Sequence, residues 1–214
     1  MAKLFAFFAA LLGASSASAQ TSLAELLSEL DMLLKSKHPE LAASLRPPQS
    51  AEQIERMEAR YQIVLPDEVR TLYLWHDGQD PTGFTTFANN MAFQPLSELL
   101  QTKAEFDSMI GYDFHLKNWW HQAWLPLFHN GGGDYLVVDP QGIHTGDANQ
   151  LLAFYHDDKY RPIIAKDLTT FFKAVLDYYD KTSTEDMDEF HIIDDFLPNS
   201  NLSFDASGKA EPLQ

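Results

Sequence analysis

Three stretches set histidine close to carboxylate: His76-Asp77, His129 with Asp134, and His156-Asp157-Asp158. Such pairs are the raw material of acid–base and metal chemistry, because imidazole titrates near neutral pH and a carboxylate orients it or joins it on a cation. None has the i,i+4 pair of histidines that puts zinc ligands on one helix face. His115 and His121 stand beside aromatics, again without a metal pattern. Each histidine therefore reads as a surface or capping residue, and neither a metal nor a cofactor is expected. No Gly-x-Ser-x-Gly elbow is present, so a lipase-type triad has no support. A glycosidase-like pair among the 31 Asp and Glu residues stays open, but nothing singles one out. The chain has no cysteine, which removes disulfides, thiol nucleophiles, thiolate metal sites and a lipoprotein anchor.

The stretch "HNGGGDYLVVDPQG" offers a different chemistry. A glycine-rich loop cradles phosphate when a helix N-terminus follows it. Here Gly131-Gly132-Gly133 is followed by "DYLVVD", which reads as a strand, and no Lys-Ser/Thr completes a P-loop. Glycine reaches positive φ without steric cost, so the loop is expected to turn "WLPLF" back onto "YLVVD" as a hairpin. "DPQG", Asp139 to Gly142, is a second turn. On this reading Gly132→Val damages folding and no activity.

Bulk properties narrow the partner. With 45% hydrophobic and 13% aromatic residues the chain is globular rather than disordered. Its net charge of −16 argues against nucleic acid, which needs concentrated Lys and Arg. Acidity suits solubility and attraction of a basic protein. "NWWHQAW" is the densest aromatic patch; Trp124 is assigned to the core, while Trp119 and Trp120 suit either a core or an exposed contact patch. "STEDMDEF" is a solvated acidic run that also offers contacts through Glu185, Asp186 and Asp188. With Asp77 these make the candidate partner-binding residues.

Positioning elements follow from periodicity. Ser22 to about Lys37 repeats leucine at helical spacing behind a Ser22–Glu25 capping box. A second helix starts at Ser50 with Gln53 three residues on, after the Pro47-Pro48 break. A third starts at Pro66, with Asp67 and Glu68 in its first turn and Gly78 as its stop. "MAFQP" reads as a short strand and Leu96 to about Met109 as a helix. Trp124 to His129 and Asp134 to Asp139 read as strands, and "GIHT" and "LLAFYH" as continuations of the sheet. Asp167 to Lys181 is a closing amphipathic helix. Helices, then mostly antiparallel strands, then a helix make an α+β plan: one central mixed or antiparallel sheet flanked by helices. The division expected is a leader at residues 1–19, an N-terminal helical extension at 20–49, one main domain at 50–182, and a polar tail at 183–214. "DFLP" is expected to dock and the last dozen residues to be disordered.

The leader begins with Lys3, continues with an apolar run from Leu4 to Leu12 and ends Ala17-Ser18-Ala19. This is a secretory pattern, with cleavage expected between Ala19 and Gln20 and export to a bacterial periplasm. The apolar run is too short for a permanent membrane helix, so no transmembrane anchor is expected in the mature chain.

Taken in order, "AEQIERMEARYQIVLP", "DEVRTLYLWHDGQD", "FQPLSELL", "WLPLFHNGGGDYLVVDP" and "DLTTFFKAVLDYY" resemble the SUKH superfamily, in particular its cell-wall assembly regulator (Smi/Knr-type) domain. The resemblance covers roughly Ser50 to Lys181. It rests most on Leu65-Pro66, Val69, Leu72-Tyr73 and Asp77-Gly78, together with Trp124-Leu125-Pro126 and the glycine turn into Asp139. Members usually carry Asn-Gly-Gly where this chain has Asp77-Gly78-Gln79, and bacterial members are typically cytosolic. The resemblance implies an α+β binding module without catalysis. Many bacterial members look like immunity proteins that neutralise a cognate toxin, and fungal members are linked to cell-wall assembly. The expectation is thus a protein partner, a basic toxin or an envelope protein. The alternatives are a regulatory or structural factor in envelope assembly and, behind both, a wall hydrolase.

Overall fold

A computed structural model describes residues 21–213 of the chain. The leader and its Ala19/Gln20 cleavage position lie outside the described residues. Thirteen regular elements follow one another: α1 (Leu23–Lys37), α2 (Pro39–Ser44), α3 (Ala51–Tyr61), α4 (Asp67–Trp75), β1 (Ala92–Phe93), α5 (Leu96–Met109), β2 (Leu125–His129), β3 (Tyr135–Asp139), β4 (Gln150–Phe154), β5 (Arg161–Ala165), α6 (Leu168–Lys181), β6 (Leu202–Phe204) and β7 (Ala210–Pro212). A single-turn 3-10 helix, Asp194–Phe196, lies between α6 and β6. The strands form one sheet in sequential order, each antiparallel to its neighbours. The fold is therefore α+β, with an antiparallel sheet.

Local chemistry sets the helix starts. Ser22 and Glu25 exchange hydrogen bonds across the first turn of α1, and Ser50 and Gln53 do the same for α3, so each box satisfies donors the helix leaves open. Asp167 caps α6 through the Thr170 amide. Leu23, Leu26, Leu27, Leu30 and Leu34 of α1 are buried, and α1 packs on α4 and α6. Each such leucine contributes about 2 kcal/mol, so the N-terminal helix is part of the main core rather than an appendage.

Strand alternation builds two cores. Leu136 and Val138 of β3, with Leu151 and Ala153 of β4, face the helices, whereas Val137, Leu152 and Phe154 point to the opposite face. That second face is closed by Trp120 and Trp124, with Phe106 and Phe114 against them. Covering on both faces explains why "YLVVD" and "QLLAF" read as nearly continuous apolar runs.

Several expectations change. "GIHT" does not extend the sheet: the buried Asp139 accepts from the amides of Gln141 and Ile143, turning the chain until β4 starts at Gln150. The strand β5 was hidden by Pro162, which has no amide for a ladder. The third helix stops at Trp75, with His76 as its cap, ahead of Gly78. Against the expectation of disorder in the last dozen residues, residues 202–212 form the β6–β7 hairpin, because β5 leaves an open edge that β6 covers. The expected docking of "DFLP" is seen: Phe196 and Leu197 pack on the main core.

Candidate recognition cleft

Residues 79–80, 93–98 and 129–131 meet at the glycine-turn end of β2 and β3, whereas Trp124 and Asp139 lie at the opposite end of that hairpin. Leu65, Leu72 and Tyr73 are buried in the main core, with the Tyr73 hydroxyl donating to the Gln94 carbonyl at 3.1 Å. Burial pushes that hydroxyl's pKa well up. Pro66 leads into α4. Trp124 is fully buried in the second core. Pro126, lacking an amide, sits where the β2–β3 register shifts, and its carbonyl accepts from Gln94 Nε2 at 2.6 Å.

Asp77 is 3% exposed. Its Oδ1 accepts the Leu96 amide at 2.9 Å, and its Oδ2 lies 3.2 Å from Arg46 Nη2. Pro95 precedes α5 and supplies no side-chain cap, so Asp77 serves the helix start from another element. Gly78 holds φ +72, and a Cβ there would sit 2.3 Å from Pro95 N. Gln79 then acts as a substitute strand. Its amide donates to Phe93 O at 2.8 Å, and its side-chain Oε1 accepts the Phe93 amide at 2.8 Å. Its Nε2 donates to Ser44 Oγ and Thr85 O. The outer edge of β1 is closed at Phe93 by a single residue.

Above this edge opens a cleft of about 270 Å³ between the 79–84 loop, the start of α5 and the glycine turn. Phe84 stands half exposed on its wall, edge-on to His129 with ring centres 6.0 Å apart. Burial lowers the His129 pKa, and the negative charge of Glu98 pulls partly the other way. His129 therefore presents a neutral imidazole at neutral pH, between an aromatic wall and the carboxylates of Asp80 and Glu98.

The glycine turn bounds the cleft. Asn130 Oδ1 accepts the amides of Gly132 at 2.7 Å and Asp134 at 3.1 Å. Gly131 and Gly133 need glycine, at φ +75 and +104. Gly132 does not: a Cβ there meets only the Asn130 side chain, at 3.3 Å. The folding requirement expected at Gly132 thus belongs to its neighbours.

Of the histidine–acid pairs, His129 and Asp134 do not join. The β3–β4 ladder instead brings His156 to Asp134, with Nδ1 2.8 Å from Oδ1. Asp157 lies alongside, so one ligand atom from each of the three falls within 4.8 Å of the others. Both Asp134 oxygens are already accepting, from His156 and from Asn130 Nδ2. His76 is likewise committed, to Arg46 O at 2.6 Å and Asp31 Oδ1 at 3.3 Å. These rings tie elements together, and no nucleophile stands against them in the hydrogen bonds they make.

The expected partner residues separate. Asp77 and Trp120 are corrected to structural roles: both are buried, and Trp120 Nε1 donates to Asp107 Oδ1 at 2.8 Å. Trp119 is half-buried, with the Arg161 guanidinium 5.0 Å from its ring centre. Glu185, Asp186 and Asp188 are exposed in the loop after α6. Sequence reasoning missed Gln79, Phe84 and Glu98. Only the position of Gln79 directly after Asp77-Gly78 signalled anything.

The structure thus defines a helix-flanked antiparallel-sheet domain with a cleft at one sheet end. The chain belongs to the SMI1/KNR4 family (SUKH-1), whose profile matches residues 48–174. No curated protein matches the chain significantly. No helix among the described residues is long and apolar enough to cross a membrane.

Proposed function

We propose that this is a non-catalytic protein-binding domain of the immunity type, neutralising a toxin in the bacterial envelope. The observation that carries the reading is a cleft inside the family-matched region, where Gln79–Asp80, Phe93–Glu98 and His129–Gly131 come together under the Phe84 wall with Asp80 and Glu98 at its rim. The histidines that sequence singled out for chemistry support binding over catalysis, since His76 and His156 are spent on structural hydrogen bonds. A net charge of −16 favours a basic partner through faster encounter. The secretory pattern of residues 1–19 supports an exported location, where a toxin acting on wall or membrane is the target that fits.

The test is co-expression with the products of the genes that flank this one, a toxin among them being the expected partner, followed by pull-down. The toxin is expected to co-purify with the wild-type chain and to be retained at least tenfold less by Phe84→Ala. Recovery of no protein partner, with wall-fragment cleavage that depends on His129 or His156, would replace binding by catalysis. The same secretory pattern also favours a regulatory factor in envelope assembly. A deletion strain separates the two: sensitivity to sibling cells supports immunity, and a wall defect in pure culture supports assembly.

A further inference from the structure

A second concavity, about 650 Å³, opens where the two chain extensions meet, between the α1–α2 corner and the loop after α6. Its lining residues apart from Thr85 fall outside residues 48–174, so the family fold does not account for it. The floor is apolar: Leu41 and Tyr179 are buried and Met187 is half-buried. His38 and His191 pack on the Tyr179 ring, at 5.0 and 5.4 Å between centres. The wall is fixed in place. The His191 carbonyl accepts the Asn89 amide at 2.9 Å, and Asp188 accepts from the amides of Phe190 and Ile192.

The rim carries one sign of charge. Glu40, Asp188 and Glu189 are exposed around the opening, while the lining cation, Lys37, is paired with Asp180 at 2.9 Å. An apolar floor alone would suit any hydrophobic segment; the rim selects among them. Lysine and arginine match both features, because their stems are apolar and their heads are cationic. A second copy of this chain matches poorly, since it brings another net −16.

We infer that this groove docks a basic amphipathic segment of a partner protein, with lysine or arginine stems over Leu41 and Met187 and their charges at Glu40, Asp188 and Glu189. The site is distinct from the cleft and does not depend on the immunity reading. The loop that places Phe84 on the cleft places Thr85 in the groove, so one partner of sufficient length reaches both.

Built-in reporters make the test direct. The full chain is titrated, at physiological salt, with a short peptide of alternating lysine and leucine while the imidazole ring-proton signals are followed by NMR. Signals of His38 and His191, assigned with His38→Gln and His191→Gln, are expected to move saturably, with His129 unmoved. The double variant Glu40→Gln/Glu189→Gln is expected to bind about fivefold weaker, as two exposed ion pairs imply. Met187→Ser weakens binding also, and Phe84→Ala leaves it unchanged. A matched glutamate–leucine peptide produces no shift. Movement of His129 in place of His38 and His191, unchanged affinity in the charge variant, or shifts that never saturate would each overturn the assignment.

Discussion

Replacing Gly78 by alanine tests the closeness of α4's exit to α5's entry. Two costs apply. At φ +72 an L residue loses about 1 kcal/mol against glycine. Its Cβ would also lie 2.3 Å from Pro95 N, 2.4 Å from Gln94 C and 2.6 Å from Gln94 O. These are backbone atoms, so relief requires moving the β1–α5 junction and with it the Asp77–Leu96 contact. Overpacking of this kind costs about 1–3 kcal/mol. The sum is about 2–4 kcal/mol, a large part of the stability of a typical domain. Gly132→Ala is the matched control, because its Cβ faces only the Asn130 side chain and its φ is not positive. Reduced freedom of the unfolded chain offsets that crowding, leaving a change of about 0.5 kcal/mol or less. Urea unfolding followed by tryptophan fluorescence measures both. A Gly78→Ala midpoint within error of wild type, or an equal loss in Gly132→Ala, would refute the close-approach argument.

Three other perturbations probe neighbouring features. Asp77→Ala leaves the Leu96 amide and Arg46 without their partner and is expected to cost about 2–3 kcal/mol, whereas Asp77→Asn keeps an acceptor and costs about 1 kcal/mol; equal losses by urea unfolding would show that the acceptor is not what matters. Arg161 is fully buried, and its guanidinium donates to the carbonyls of Trp119, Asp158 and Tyr160 over the Phe154 ring. Burial lowers its pKa to about 10, so it stays charged at neutral pH. Arg161→Lys cannot span those carbonyls and is expected to lower stability by about 2–4 kcal/mol; thermal unfolding unchanged by that swap would contradict it. Burial lowers the pKa of His129, His144 and His191. Their unfolded forms take up protons first, so stability falls as pH drops below about 6.5 towards the lowered folded values. His156, raised mainly by its hydrogen bond to Asp134, acts oppositely: its contribution is present below about 6.5 and lost as pH rises through its folded value. Because three half-buried rings oppose one exposed ring, the urea midpoint is expected to fall between pH 7.5 and 5.5; a rise would reverse the assignment.

What the sequence determined by itself is local. Capping boxes at Ser22 and Ser50, the leucine spacing of α1 and the apolar, β-branched run "YLVVD" depend on residues a few positions apart, and each element formed as that pattern requires. The hairpin at Gly131–Gly133 was legible for the same reason: a strand, not a helix, follows it. Tertiary structure decided what depends on distant partners. Asp77 looks like a surface acid until α5 arrives with the uncapped Leu96 amide, and Trp120 looks like a contact residue until Asp107 accepts its indole proton. The tail looks disordered until the open edge of β5 gives it a ladder. Phe84, Glu98 and His129 are 14 and 31 residues apart along the chain, and only the sheet end brings them to one cleft. Local periodicity records which face of an element is apolar. It does not record which buried donor, from another part of the chain, will need an acceptor there.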